Sequence, residues 1–188
     1  MEYFNYKTPV KPAKGRLLLS EPMLADPNFE RTLILLCEFD EDGAFGFVLN
    51  KPSESLVADL IDAEGQEDKW AFIGGPVQQD SLHFIHSYDG VDGAQEILTG
   101  IFWGGDFETV LEKSRLYPDS VRFFVGYSGW AAGQLEDELK ENAWIVSDKA
   151  DSRLIFDTNP EVMWQEAVSR LGGRFTLYAN YPTDPRLN

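Results

Sequence analysis

The stretch GYSGWAAGQLEDEL, residues 126–139, sets a serine among glycines and a tryptophan directly ahead of a helix-forming segment. Two chemistries use that arrangement. A nucleophile elbow turns a strand sharply into a helix beneath a serine, and a phosphate-binding loop aims free backbone N–H groups at an anion. The elbow needs G-x-S-x-G. Here Gly126, Tyr127, Ser128, Gly129 and Trp130 bring the second glycine one position early and leave an indole where a small residue belongs. The phosphate cradle needs G-x-x-x-x-G-K-[ST], and no lysine follows the glycines until Lys140. A helix start near Gly133 can still take a small anion. The structural reading is a turn permitted by Gly126 and Gly129, a core-filling Trp130, and Glu136 and Asp137 in the first helical turn, where the dipole favours them.

His83 and His86 have the spacing that would bind one metal from a helix, but SLHFIHSY reads as a strand, where residues three apart face opposite sides. Asp40, Glu41 and Asp42 have the charge of a calcium loop without its length: the glycine comes too soon and no glutamate stands at the twelfth position. Cys37, the single cysteine, sits in an apolar run and reads as a small buried hydrophobe, and one cysteine allows no intramolecular disulfide. No metal and no cofactor is expected.

The elements that would carry these residues follow from local pattern. GRLLLSE and TLILLCEF are strand-length apolar runs joined by PMLADPNFER, a loop with two prolines. Asp42-Gly43 marks a hairpin between TLILLCEF and AFGFVLNKP. Ser53 or Ser55 could cap a short helix through LVADLIDAE. WAFIGGPV, SLHFIHSY, EILTGIFWGG, SVRFFVGYSGW, AWIVSD and RLIFD read as strands. Asp106 caps FETVLEKSRLY, and Asn159 and Pro160 open a helix that Gly172 closes. The terminal RFTLYANYP either adds an edge strand or wraps the surface. Residues 1–14 form an N-terminal arm and residues 15–188 a single domain. Seven to nine strands and three or four helices, in no regular βαβ alternation, make the class α+β with a mainly antiparallel sheet.

Of 188 residues, 16 are basic and 32 acidic, a formal charge of −16 that repels a phosphate backbone, so direct nucleic-acid binding is not expected. The N-terminus has no continuous apolar run, and no stretch approaches the ~18 apolar residues of a membrane span. A soluble cytoplasmic protein without membrane contact is expected.

Taken together, GRLLLSEPMLADPNFERTLILLCEF, GAFGFVLNKP, FIGGPV, GYSGWAAGQLEDEL and NAWIV resemble the YqgE/AlgH family of small bacterial proteins, over nearly the whole chain from about Gly15 to Pro182. The resemblance implies an α+β fold with a bifurcated, partly barrel-like antiparallel sheet. The family's biochemical activity is uncharacterised, and one branch has a name suggesting transcriptional regulation, without a recognisable DNA-binding motif. Its pattern maps onto Asp26, Asn28 and Arg31 of the first loop, Asn50 after the hairpin, His86, and Trp130, Gln134 and Glu136 of the opening motif. Two positions depart from it: Phe39 stands where relatives often have histidine, and Ser128 where they often have alanine, so a shared role cannot need that hydroxyl.

The polar mapped residues have two readings. In one, the Asp26–Arg31 loop, Asn50 and the start of the Gly133 helix converge on a shallow site for a small molecule or a protein segment. In the other, Asp26 and Arg31 pair to pin the loop while Asn50 and Gln134 bond to nearby backbone. The functional expectation is a non-enzymatic binding or regulatory protein with an unknown protein or small-molecule partner. The alternative is a hydrolase or transferase using a polar site near Arg31, with Glu38, Glu136 or His86 as acid or base.

Overall fold

Two leucine-rich runs form the middle of the sheet because both of their faces are covered, and strands buried on both faces read as near-continuous apolar sequence. These are β1 (Leu17–Ser20) and β2 (Leu33–Asp40), which pair antiparallel with Leu17 opposite Leu35. The computed structural model describes residues 10–22, 29–61 and 65–179, so most of the expected arm, and Asp26 and Asn28, lie outside the described residues. The expected hairpin follows: β2 turns through Glu41 and Asp42 into β3 (Gly43–Val48), with Asp40 opposite Gly43.

The remaining strands are β4 (Pro52–Leu56), β5 (Trp70–Ile73), β6 (Val77–His86), β7 (Gln95–Leu98), β8 (Ile101–Trp103), β9 (Val121–Ala131) and β10 (Trp144–Ser147). The main path runs β10-β1-β2-β3-β9-β6-β8-β7, and its two ends do not hydrogen-bond to each other. The sheet bifurcates at β9. Along one edge β9 pairs with β6 from Val121 to Tyr127, and along the other β5 takes Phe124 and Val125 in parallel before β3 takes Ser128–Ala131 antiparallel. The sheet also curls: Leu17, Leu35 and Phe47 from one half share a core with Ile85, Ile97 and Ile101 from the other. The expected α+β class with a bifurcated, mainly antiparallel sheet is the class observed.

Helices cover the sheet where its faces are apolar. α1 (Val57–Leu60) is a single turn, α2 (Phe107–Leu116) lays Val110 and Leu111 on Phe84 and Phe123, and α3 (Gln134–Lys140) sets Leu135 against Ile34, Leu36 and Val48. α4 (Pro160–Leu171) brings Met163 and Trp164 onto Leu17, Leu19 and Leu33, and α5 (Phe175–Ala179) follows it. The two caps read from sequence are present: Asp106 accepts from Thr109 N–H at 2.9 Å and Asn159 accepts from Glu161 N–H at 3.0 Å.

Several local expectations are corrected. There are ten strands and five α-helices among the described residues, because EILTGIFWGG folds back at Thr99 and Gly100 into β7 and β8, and Ser53 and Ser55 lie in β4 instead of capping a helix. RLIFD is a π-helical turn, Arg153–Asp157, held by Thr158 N–H on Arg153 O at 3.1 Å and started by Leu154 N–H on the Asp151 carboxylate at 2.7 Å. Such a turn buries the adjacent Leu154 and Ile155 together, which an alternating strand cannot do. Phe175–Ala179 is helix α5, not an edge strand, and residues 180–188 lie outside the described residues.

Candidate functional site

Two irregularities in otherwise regular strands open a cleft of about 730 Å³, within the ~300–1,000 Å³ of small-ligand sites. The first is a β-bulge in β2. Leu33, Leu35 and Cys37 point to the concave core while Ile34 and Leu36 point to the opposite one, so strict alternation would send Glu38 and Asp40 outward. The register shifts between Leu36 and Glu38, Glu38 comes opposite Phe45, and Phe45 packs on the concave side. One extra residue therefore turns Glu38 and Asp40 inward and Phe39 outward.

The second irregularity is in β9. Phe124 faces the concave core and Trp130 the opposite one, and regular alternation from Phe124 would put Trp130 inside. Gly126, at φ 68°, takes up the difference and sends Tyr127 into the cleft. A Cβ on Gly126 would lie 2.6 Å from Gly75 O and 2.8 Å from Val77 O, and one on Gly75 would lie 2.2 Å from Tyr127 C, so this bend needs bare backbone on both sides. The same packing disposes of Ser128: its hydroxyl is buried and donates to Gly74 O at 3.1 Å, as a structural serine does.

The cleft joins two kinds of surface. Its wall is aromatic: the Phe45 ring meets Trp103 edge-on at 4.9 Å and Tyr127 at 6.0 Å, and His83 meets Tyr127 at 5.8 Å. Its rim is acidic, formed by Glu38, Asp40 and Asp42. Among the described residues no lysine or arginine lines it, and none of the three carboxylates joins an ion pair. Asp40 accepts only the Asp42 N–H, at 2.9 Å. The Nε2 of His83 is buried without a hydrogen-bond partner, and burial lowers the pKa of this ring, so at neutral pH it is an uncharged part of the wall.

Of the binding-surface residues singled out from sequence, Trp130 borders this cleft, Asp26 and Asn28 lie outside the described residues, and the others are placed elsewhere or pinned. Asn50 clamps backbone, accepting from Leu33 N–H and donating to Arg31 O, both at 2.9 Å. Arg31 lays its guanidinium over Trp164, 5.3 Å from the ring centre. His86 has no exposed surface, lies 3.0 Å from Gly104 O and accepts from Tyr88 N–H at 3.2 Å, between the Tyr88 and Phe102 rings. His83 and His86 face opposite sides, as strand geometry requires, His83 against Phe47 and Tyr127 and His86 against Tyr88 and Phe102.

Trp130, which also borders the large cleft, and Gln134 line a second, smaller cleft of about 290 Å³ beneath α3. Gln134 accepts from Ala131 N–H at 3.1 Å and donates to Glu138 at 2.9 Å. Glu138, not anticipated from sequence, also accepts from the indoles of Trp130 at 2.8 Å and Trp144 at 2.7 Å through one oxygen. Glu136 is part-buried in the first turn of α3 and lines neither cleft. Arg31, Glu38 and Glu136 are thus divided: only Glu38 faces the large cleft. The readable signal for that cleft is the run of acidic residues at the hairpin tip, Asp40 to Asp42.

Residues 17–176 match the AlgH-like family. A UPF0301 protein of Cytophaga hutchinsonii is 43% identical over 180 residues, covering 93% of this chain and 98% of its own length. One from Chlorobaculum parvum is 43% identical over 178 residues, covering 93% and 95%. Among solved structures, the AlgH protein from Pseudomonas aeruginosa superposes with a TM-score of 0.74 at 31% identity, over 90% of this chain and 94% of that one. A Corynebacterium diphtheriae protein, 24% identical, shares the fold with a TM-score of 0.76 over 92% and 94%. With a family match over most of its length and relatives aligned nearly end to end, the chain belongs to the AlgH-like family.

Proposed function

We propose that this protein is a non-enzymatic, cytoplasmic binding or regulatory protein that holds a small molecule or a segment of another protein in the concave cleft. The observation that carries this reading is the contrast in pairing. Asn50, Gln134 and His86 have their polar groups engaged within the chain, whereas three carboxylates stand on an aromatic wall and pair with no cation among the described residues. Concave, largely apolar sites with a few convergent polar groups are the usual form of a ligand site. The formal charge of −16 favours a partner other than nucleic acid. No described helix is long and apolar enough to cross a membrane.

The test is a ligand screen followed by ¹H–¹⁵N NMR, with the Trp103 indole and the Tyr127 amide as reporters of the cleft. Hits should move these two signals and weaken on Trp103→Ala. Hits that move only Trp164 or the α3 residues would place binding elsewhere and defeat the reading.

A further inference from the structure

The cleft's shape and charge select a ligand class, and the argument rests on the reading of the cleft as a binding site. Carboxylates at the mouth of a low-dielectric aromatic wall focus negative potential inward, and an aromatic face attracts a cation within about 6 Å of its centre. Both features favour positive charge, and among the described residues no lysine or arginine of the lining supplies it. The described residues contain no group of three His, Cys, Asp or Glu side chains able to hold a metal ion, so Glu38, Asp40 and Asp42 do not form a cage for one. Carboxylates that form no cage, set beside an aromatic wall, suit an organic cation with several N–H donors better than a bare ion. The apolar wall beside it suits the aliphatic stem that carries such a head group.

We propose that the cleft binds a guanidinium or ammonium group on an aliphatic stem, with the head group on Glu38 and Asp40 and the stem along Phe45, Trp103 and Tyr127. The bulge at Cys37 and the glycine bend at Gly126 make this pairing, since each turns one half of the recognition surface into the same cavity. The cation is either a free small molecule or the basic side chain of a protein segment.

Two probes separate the sources: agmatine, and the peptide acetyl-Gly-Arg-Gly-amide. The peptide's isostere with citrulline in place of arginine removes the charge alone. Binding is followed by the Trp103 indole signal in the full-length chain, at low and high salt. The expected result is that a cationic probe binds at least about tenfold more tightly than the citrulline peptide and weakens with salt. E38Q/D40N should abolish the difference while keeping a native amide spectrum. E108Q/E112Q, which removes equal charge from exposed positions on α2 outside the cleft, should leave it intact. Tighter binding of agmatine identifies a free cation, and tighter binding of the arginine peptide identifies a basic segment of a protein. If the citrulline peptide binds as well as the arginine peptide, the cleft is a binding site and the cation assignment falls. If no probe moves Trp103 at millimolar concentration, both fall.

Discussion

The two clefts adjoin at Gly129 and Trp130 of β9 and treat their polar groups in opposite ways. Beneath α3, one carboxylate takes two indole N–H groups and the Gln134 amide, and the Trp130 and Trp144 rings meet edge-on at 6.1 Å. On the concave side, three carboxylates face an aromatic wall with no cation beside them among the described residues. The first arrangement is closed, with side-chain valences answered within the chain, and holds α3 to the sheet. The second leaves its charges to be answered from outside. The motif that most resembles chemistry in the sequence serves both sides, giving Trp130, Gln134 and Glu138 to the closed one and Gly126 and Tyr127 to the open one, whose rim carboxylates belong to no motif.

The division can be broken most severely at the bend that makes it. Gly126→Ala forces a side chain into the left-handed region, which costs about 1–2 kcal/mol, and drives its Cβ against backbone oxygens 2.6 and 2.8 Å away. We expect about 3 kcal/mol or more of destabilisation by urea unfolding, together with loss of the Tyr127 signal's cleft environment. A change below about 1 kcal/mol would mean that the bend does not set the face of Tyr127.

Next in size is the closed side. Glu138→Ala strands two nearly buried indole N–H groups and should lower stability by about 2–4 kcal/mol, given about 1.5–3 kcal/mol for a hydrogen bond to a charged group and some solvent access at the site. Glu138→Gln keeps an acceptor and should recover more than half of the loss. Neither variant should alter binding in the concave cleft. If Glu138→Ala is as stable as the parent by denaturation, the carboxylate does not pin α3.

How much of this could be read from sequence follows the range of the interactions. The hairpin at Asp42-Gly43 and the caps at Asp106 and Asn159 depend on residues within a turn of one another, and each is found where the sequence indicates. RLIFD could not be read, because a short apolar run fits a strand or a buried turn equally and Asp151, which decides it, acts through one backbone bond. The bulge at Cys37 has no local signature: it exists only in the register of β2 against β3, and with it goes the inward turn of Glu38 and Asp40. Glu138 was hidden for the same reason. It stands eight residues after Trp130 and six before Trp144, and only the fold brings both indoles to one oxygen.

The two histidines repeat the contrast in miniature. Burial lowers the pKa of both below the ordinary 6.5, but His86 has no exposed surface and His83 lines the open cleft. A folded-state pKa below the unfolded value means that the unfolded chain takes up the proton first. Stability is therefore full above about pH 7 and falls as pH drops through 6.5 toward the folded-state values. Stability measured from pH 7.5 to 5 should show this slope, and His86→Phe should flatten it more than His83→Phe. Equal flattening would mean that the cleft ring is as closed to water as the buried one.

The smallest stability effect is expected where the functional effect is largest. Glu38 and Asp40 hold no ion pair, so Glu38→Gln with Asp40→Asn removes charge from the rim without stranding a buried partner, and unfolding free energy should stay within about 0.5 kcal/mol of the parent. Asp40 does accept the Asp42 N–H, which an asparagine side-chain oxygen can still do. A clear gain in stability would sharpen the contrast, since it would show that three like charges are held together against their own repulsion, a strain that folding alone gives no reason to keep. A loss of 2 kcal/mol or so, of the size expected for Glu138→Ala, would dissolve the contrast, because the rim carboxylates would then be bracing the hairpin as Glu138 braces α3.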